Sequence, residues 1–594
     1  APGFGSVTPI AGAYVKADTR VVAWTNSENI TAGTVTYTKT AGSTDTASPH
    51  VVSMAGKLTL GAQSTDVTGL VDGATYTLSL VSTDSAGNVS NAFSNAGINY
   101  DTSVPLFGSV TPADNAYVNA TTQTVTFTLN ESLQNGNIVY TNTSGAGGEP
   151  IGTQHTYTLS ADDKTSKVSQ THIANVVTAL ATGETYSLAV NGTDLAGNVN
   201  SASKANIRYD AVKPAFGAVT PAASSRVGPV SRQVKYTNSE QLASGEARYT
   251  WTGTGSNDGA SPHVTAFGGA ALNAGSQTVD VTGLVDGSEY TLQLNSTDLA
   301  LNAADTVTRN GIIYDSMPPA FGVLTPATST RINGTTRIVA WTNSELLSGG
   351  EIRYTRTGGS VDPASPRIVN LATANKLAMA TQTVDPGVLV EGSIYTLTIS
   401  GTDVAGNSNA PAGNVNILYD NLAPSFGSVT PLTNGYVGPN TRMARWTNSE
   451  DLAGGQVEYE GTAGGDSGVK HTVAFDASHK LTGSQTQDVL GLVNGSTYKL
   501  TVSGTDLAGN AGTPIVRTNL LYDNVLPNFG AVTPASDKKV NLAGRAVGWS
   551  NSETLSSGEV RYTRTGGAAD TGSPHTVDLG AVGKLGQGNQ NADV

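Results

Sequence analysis

A block opening with Phe-Gly and continuing as Val-Thr-Pro or a close variant recurs at Phe4, Phe107, Phe216, Phe321, Phe426 and Phe529. The spacing is about 105 residues, the size of one β-sandwich domain. Tandem copying argues against catalysis, because an active site needs unlike residues converging once. The repeat divides the chain into 1–103, 104–212 with a divergent middle, 213–317, 318–422, 423–525 and an incomplete 526–594. Asp593-Val594 aligns with Asp66-Val67, so the counterpart of Thr68 to Asp101 is missing from the sixth copy. The expectation is a natural chain that continues past Val594; the alternative is strand donation by another chain.

Charge narrows the partners. With 13% charged residues, a net charge of −14 and no cysteine, the chain repels phosphate backbones and offers neither disulfides nor thiolate ligands. Nucleic acid is excluded as a partner, and divalent cations suit it better. No stretch approaches the roughly 18 consecutive apolar residues of a membrane span. No basic-then-apolar leader stands at Ala1, so the expectation is no membrane insertion in this segment, with any export signal already removed.

The first copy serves as template. Gly5 to Thr8 before Pro9 suits an edge strand, and alternation around Trp24 places that ring inside a sandwich. Thr34 to Thr40 around Tyr37 forms the next strand, with more strand near Val51-Val52, then Ser64 to Thr68. A Gly-Leu-x-x-Gly turn delivers Tyr76; the same six-residue leucine-to-tyrosine interval recurs at Leu284/Tyr290, Leu389/Tyr395 and Leu492/Tyr498. Thr77 to Thr83 ends in Asp84-Ser85-Ala86-Gly87-Asn88, and a last strand runs to Tyr100-Asp101 before Val104-Pro105. The fold class expected is all-β, a tandem array of seven-stranded sandwiches.

The strand tryptophan, the Gly-Leu-x-x-Gly-x-x-Tyr corner, the Thr-Asp-x-Ala-Gly-Asn turn and the closing Tyr-Asp-x-x-x-Pro together resemble the bacterial Ig-like and fibronectin-III-like repeats of large secreted adhesins and surface-layer proteins. The resemblance covers essentially the whole chain and implies an extracellular location at a bacterial cell surface. It specifies a ligand only weakly, since such sandwiches carry many functions.

Sandwich topology puts three copied acids at each joint: the Glu after the tryptophan strand, the Asp of the Thr-Asp-x-Ala-Gly-Asn turn, and the Asp closing the previous repeat. The expected sets are Asp101, Glu131 and Asp194; Asp210, Glu240 and Asp298; Asp315, Glu345 and Asp403; and Asp420, Glu450 and Asp506. Asp523 and Glu553 begin a fifth. Carboxylates within about 5 Å repel by roughly 3 kcal/mol per pair at an effective dielectric near 20, so a cation or proton must offset them. Calcium is the candidate cofactor, since it accepts several oxygens in irregular geometry, with Asn198, Asn407 and Asn510 completing a shell. The resemblance implies calcium at such joints as well. In the plainer reading, Asp84 and its equivalents begin Asx turns, Asn-Ser-Glu is a solvated loop, and shared Pro and Phe stiffen the linkers. The third repeat departs from the pattern, with Leu301 where its siblings carry Gly.

Ser-Pro-His at His50, His263 and His575 becomes Ser365-Pro366-Arg367 in the fourth copy, which speaks against zinc. Trp24, Trp341, Trp446 and Trp549, with Phe127 and Tyr236 at the same place, read as core. No Gly-x-Ser-x-Gly, phosphate loop or His-Glu-x-x-His occurs. The expectation is a non-enzymatic extracellular rod or filament subunit that self-associates into a fibre or layer, or attaches to a cell-surface anchor. The alternative is an adhesin binding glycan or a host surface, with Gly145 to Ala174 as the place to look. A third reading is an accessory segment of a giant exoenzyme.

Overall fold

The computed structural model describes residues 1–177 and 179–594; the side chains at 168–171, 173 and 175–177, within or just beyond the divergent span, lie outside the described residues. The chain divides into two compact units, Ala1–Met317 and Pro318–Val594.

In the first repeat the strands are β1 (Phe4–Thr8), β2 (Tyr14–Val15), β3 (Val22–Asn26), β4 (Ile30–Gly42), β5 (His50–Ser53), β6 (Gly61–Thr65), β7 (Ala74–Asp84) and β8 (Phe93–Tyr100). One sheet has the order β1-β3-β6 and the other β2-β8-β7-β4-β5. All pairs are antiparallel except β2 with β8. This is a fibronectin-III-type sandwich. The seven expected strands are present, and β2 is an eighth: after Pro9 the chain crosses to the second sheet and pairs beside the final strand. Two residues carry no readable periodicity, so β2 is invisible to pattern.

Alternation explains the layers. β7 alternates buried and half-buried positions over its whole length, putting Tyr76, Leu78 and Leu80 in the core with Trp24, Val35 and Tyr37. The first unit holds two further cores of this kind, around Phe127 and Tyr140 and around Tyr236 and Tyr249. The second unit holds cores around Trp341 and Tyr354 and around Trp446 and Tyr459. The sixth repeat has a smaller cluster of Val547, Trp549, Leu555, Leu579 and Ala592. Trp24, Trp341, Trp446 and Trp549 are core, as their strand position requires: Trp24 is 1% exposed and its Nε1 donates to Asn26 Oδ1 at 2.7 Å.

The tyrosine corner forms too. Val71 N donates to the Tyr76 hydroxyl at 2.8 Å, and the hydroxyl donates to Asp45 Oδ2 at 2.7 Å. Asp45 also receives His50 Nε2 at 2.6 Å. The Ser-Pro-His histidine is thus one member of a buried lock joining β5 to the turn before β7. Arg367 takes its place against Asp362 in the fourth repeat, which explains why His and Arg interchange there.

Candidate metal centres at the joints

Three adjacent residues at the end of the tryptophan strand build each joint. The Asn points inward: Asn26 Oδ1 holds Trp24, and its Nδ2 donates to the Lys57 and Thr59 carbonyls. The Ser holds the incoming chain, as where Ala215 N donates to Ser239 Oγ and Ser425 N to Ser449 Oγ, both at 2.9 Å. In the second repeat, which lacks this Ser, Leu106 N donates to Asn130 Oδ1 instead. The Glu that follows is thereby fixed beside the linker.

The turn after the long central strand supplies the second acid. Asp194 Oδ1 accepts from Ala196 N and Asn198 N, both at 2.8 Å, and its Oδ2 accepts from Asn198 Nδ2. Three of a carboxylate's roughly four acceptor positions are then used, leaving one on Oδ2. The Asx turn and the acid cluster are therefore the same object seen from two sides. Asn198 Nδ2 also donates to the Asp101 carbonyl at 3.0 Å, and Asn302 and Asn510 reach the Asp210 and Asp420 carbonyls at 2.8 Å. These amide nitrogens clip linker to turn. Asn198 and Asn510 thus present their amide donors to the linker and the turn acid. Asn407 Nδ2 donates to Asp403 Oδ2 at 2.8 Å.

Within the first unit, Asp101, Glu131 and Asp194 bring carboxylate oxygens within 4.8 Å of one another, as do Asp210, Glu240 and Asp298. Within the second unit Asp420, Glu450 and Asp506 do the same. The remaining expected set is divided between the units. Asp315 closes the first, where Arg226 approaches it at 3.6 Å. Glu345 and Asp403 belong to the second, where Asp403 makes the same turn to Ala405 N and Asn407 N. The third repeat keeps the turn despite Leu301, which takes φ 71° while Asn302 N still donates to Asp298 Oδ1 at 2.8 Å.

The electrostatics follow from crowding. Burial, then the Asp101 and Asp194 charges, push the Glu131 carboxyl up to about 7. Burial, then Asp210 and Asp298, do the same to Glu240, also about 7. Glu450 is raised by burial, Asp420 and Asp506, with Arg331 opposing. Without an added cation Glu131 and Glu240 hold protons near neutrality.

Two structural contributors lay outside the sequence reading. The residue before the second glycine of the Gly-Leu-x-x-Gly turn captures the linker: Asp72 Oδ1 accepts from Thr102 N at 2.5 Å, Asp286 Oδ1 from Ser316 N at 2.6 Å, and Glu391 Oε2 from Asn421 N at 2.7 Å. The buried lock acids Asp45, Asp258, Asp362 and Asp466 are the other. Their signal was available, since each stands five residues before its His or Arg.

Another acidic group, Asp162, Asp163 and His172, lies in the divergent repeat. His172 faces Phe127 across the strand pair, where the siblings place Gln63 against Trp24 and Gln485 against Trp446. Its Nε2 meets the Thr165 carbonyl at 2.8 Å, as Gln63 Nε2 meets that of Thr59. His172 does the work of a structural glutamine, and Lys167 already neutralises Asp162 at 2.7 Å.

No family model matches the chain. Among solved structures, a tetra-tandem repeat from the extending region of a large adhesion protein is 17% identical, covering 70% of this chain and 99% of its own, with a TM-score of 0.24. A 1.5-MDa bacterial ice-binding adhesin structure is 15% identical over 52% of this chain and 98% of its own, TM-score 0.22. The FN1–FN3 domains of chicken CNTN1 are 10% identical, over 52% and 99%, TM-score 0.22. Among curated proteins, Exoglucanase B of Cellulomonas fimi is 25% identical to the array over 387 residues, which is 63% of this chain and 31% of that protein. The array thus spans less than a third of that relative's length.

Proposed function

We propose that the array is an extracellular structural segment whose reach and stiffness are set at its joints, where sets of three carboxylates within one unit offer sites for calcium. The observation that carries this is the recurrence of one acid triad, at two joints of the first unit and one of the second, drawn each time from two repeats. A fold has no need to copy a costly cluster of like charges unless something offsets it. A filament or layer subunit suits a chain built of nearly identical modules, because every module offers the same edges at a regular pitch. Small-angle scattering with calcium and with chelator tests the joints, and electron microscopy of native material tests assembly.

A second reading is favoured by the curated match: the array as a non-catalytic spacer within a longer exoglucanase-like enzyme. No enzyme activity is proposed for the array itself. Isolated flexible strings in the microscope, together with a glucan-degrading domain elsewhere in the native protein, would favour it over the filament.

A further inference from the structure

The two residues of β2 and their counterparts read Tyr14-Val15, Tyr117-Val118, Arg226-Val227, Arg331-Ile332 and Tyr436-Val437. Register fixes what each does. Val15, Val118 and Ile332 pair with Tyr100, Tyr209 and Tyr419, and their carbonyls accept from the next residue's amide, that of Asp101, Asp210 and Asp420. The first residue of the pair therefore sits beside the acid that closes its repeat.

In the first two repeats this neighbour is a neutral tyrosine. Arg208, on the second repeat's closing strand, is drawn to Tyr117: its guanidinium lies 5.3 Å over the ring. In the fourth repeat the neighbour is Arg331, whose Nη1 stands 3.5 Å from Asp420 Oδ2. Arg226 approaches Asp315 in the same way at 3.6 Å.

We infer that Arg331 is the resident cation of the joint closed by Asp420, standing in for much of the charge that a calcium ion supplies at the joints closed by Asp101 and Asp210. This rests on the calcium reading above. With its Arg331 end still exposed, the pair itself contributes little stability. Its effect on a divalent ion is larger, because a fixed positive charge a few ångströms from the site repels that ion and lowers its affinity at least about tenfold. The joints closed by Asp101 and Asp210 then respond to calcium, whereas the joint closed by Asp420 stays closed without it.

Native mass spectrometry of the full chain at a fixed, limiting calcium concentration tests this, using wild type, Arg331→Tyr, Arg331→Lys and Tyr117→Arg. Tyr and Arg are each found at this register in sibling repeats, so the strand pairing tolerates both. The expected result is one more retained ion for Arg331→Tyr, one fewer for Tyr117→Arg, and an unchanged number for Arg331→Lys. Wild-type counts in both the Arg331→Tyr and Tyr117→Arg chains, with calcium bound, would overturn the role of Arg331 and leave the calcium reading standing. Absence of calcium from every chain would overturn both.

Discussion

Burial, then the neighbouring Asp charges, push the Glu131 and Glu240 carboxyls from an ordinary 4.5 up to about 7. A carboxyl raised on folding favours the closed joint below its unfolded value, and that contribution is lost as pH rises through the folded value. In chelator, the joints at Asp101 and Asp210 should therefore loosen as pH climbs from about 4.5 to about 7, read as rising linker amide exchange. Saturating calcium should abolish the dependence, as should Glu131→Gln at its own joint. Leu301 gives a second test. Its left-handed φ of 71° costs a branched side chain roughly 1–2 kcal/mol, and its siblings place Gly there. Leu301→Gly should raise the third repeat's local stability by about 1 kcal/mol in hydrogen exchange. The copied joint acids were legible because the strand topology predicts which loops share a pole. The lock acid Asp45 was missed because it lies in the stretch that varies most in length, although its spacing to His50 is regular.

Between residue and domain, the element that matters is the linker. Its amides at Thr102 and Ser103 are held by Asp72, the Pro105 carbonyl by Asn200, and the Leu106 amide by Asn130. Asn198 clips the start of it to the next repeat's turn. Asn198→Ala should increase amide exchange across residues 102–106 by about five- to tenfold, the worth of one hydrogen bond, and leave the flanking cores unchanged. The lock between β5 and the turn before β7 is a separate device. His50→Arg should be tolerated, because Arg367 fills that place in the fourth repeat. Tyr76→Phe should destabilise the first repeat by about 1–3 kcal/mol, since the Val71 amide and Asp45 both lose a partner. Strands and the corner were readable from alternation and turn residues. β2 was not, because two residues carry no period, and with it went the significance of Arg331.

At the scale of the molecule, sandwich cores are self-sufficient and the joints carry whatever can be regulated. Each complete repeat buries its own aromatic cluster, so the link between repeats is where an ion can change stiffness without unfolding anything. The repeat itself made this visible, since what was copied is a domain together with its connection to the next. The most direct measurement is small-angle scattering of the full chain at pH 8, with calcium and with chelator, alongside counting of bound ions by mass spectrometry. Calcium ions bound in the native chain, and a distance distribution that broadens and shortens on chelation, are the predicted result. Superimposable profiles with no calcium bound would contradict it.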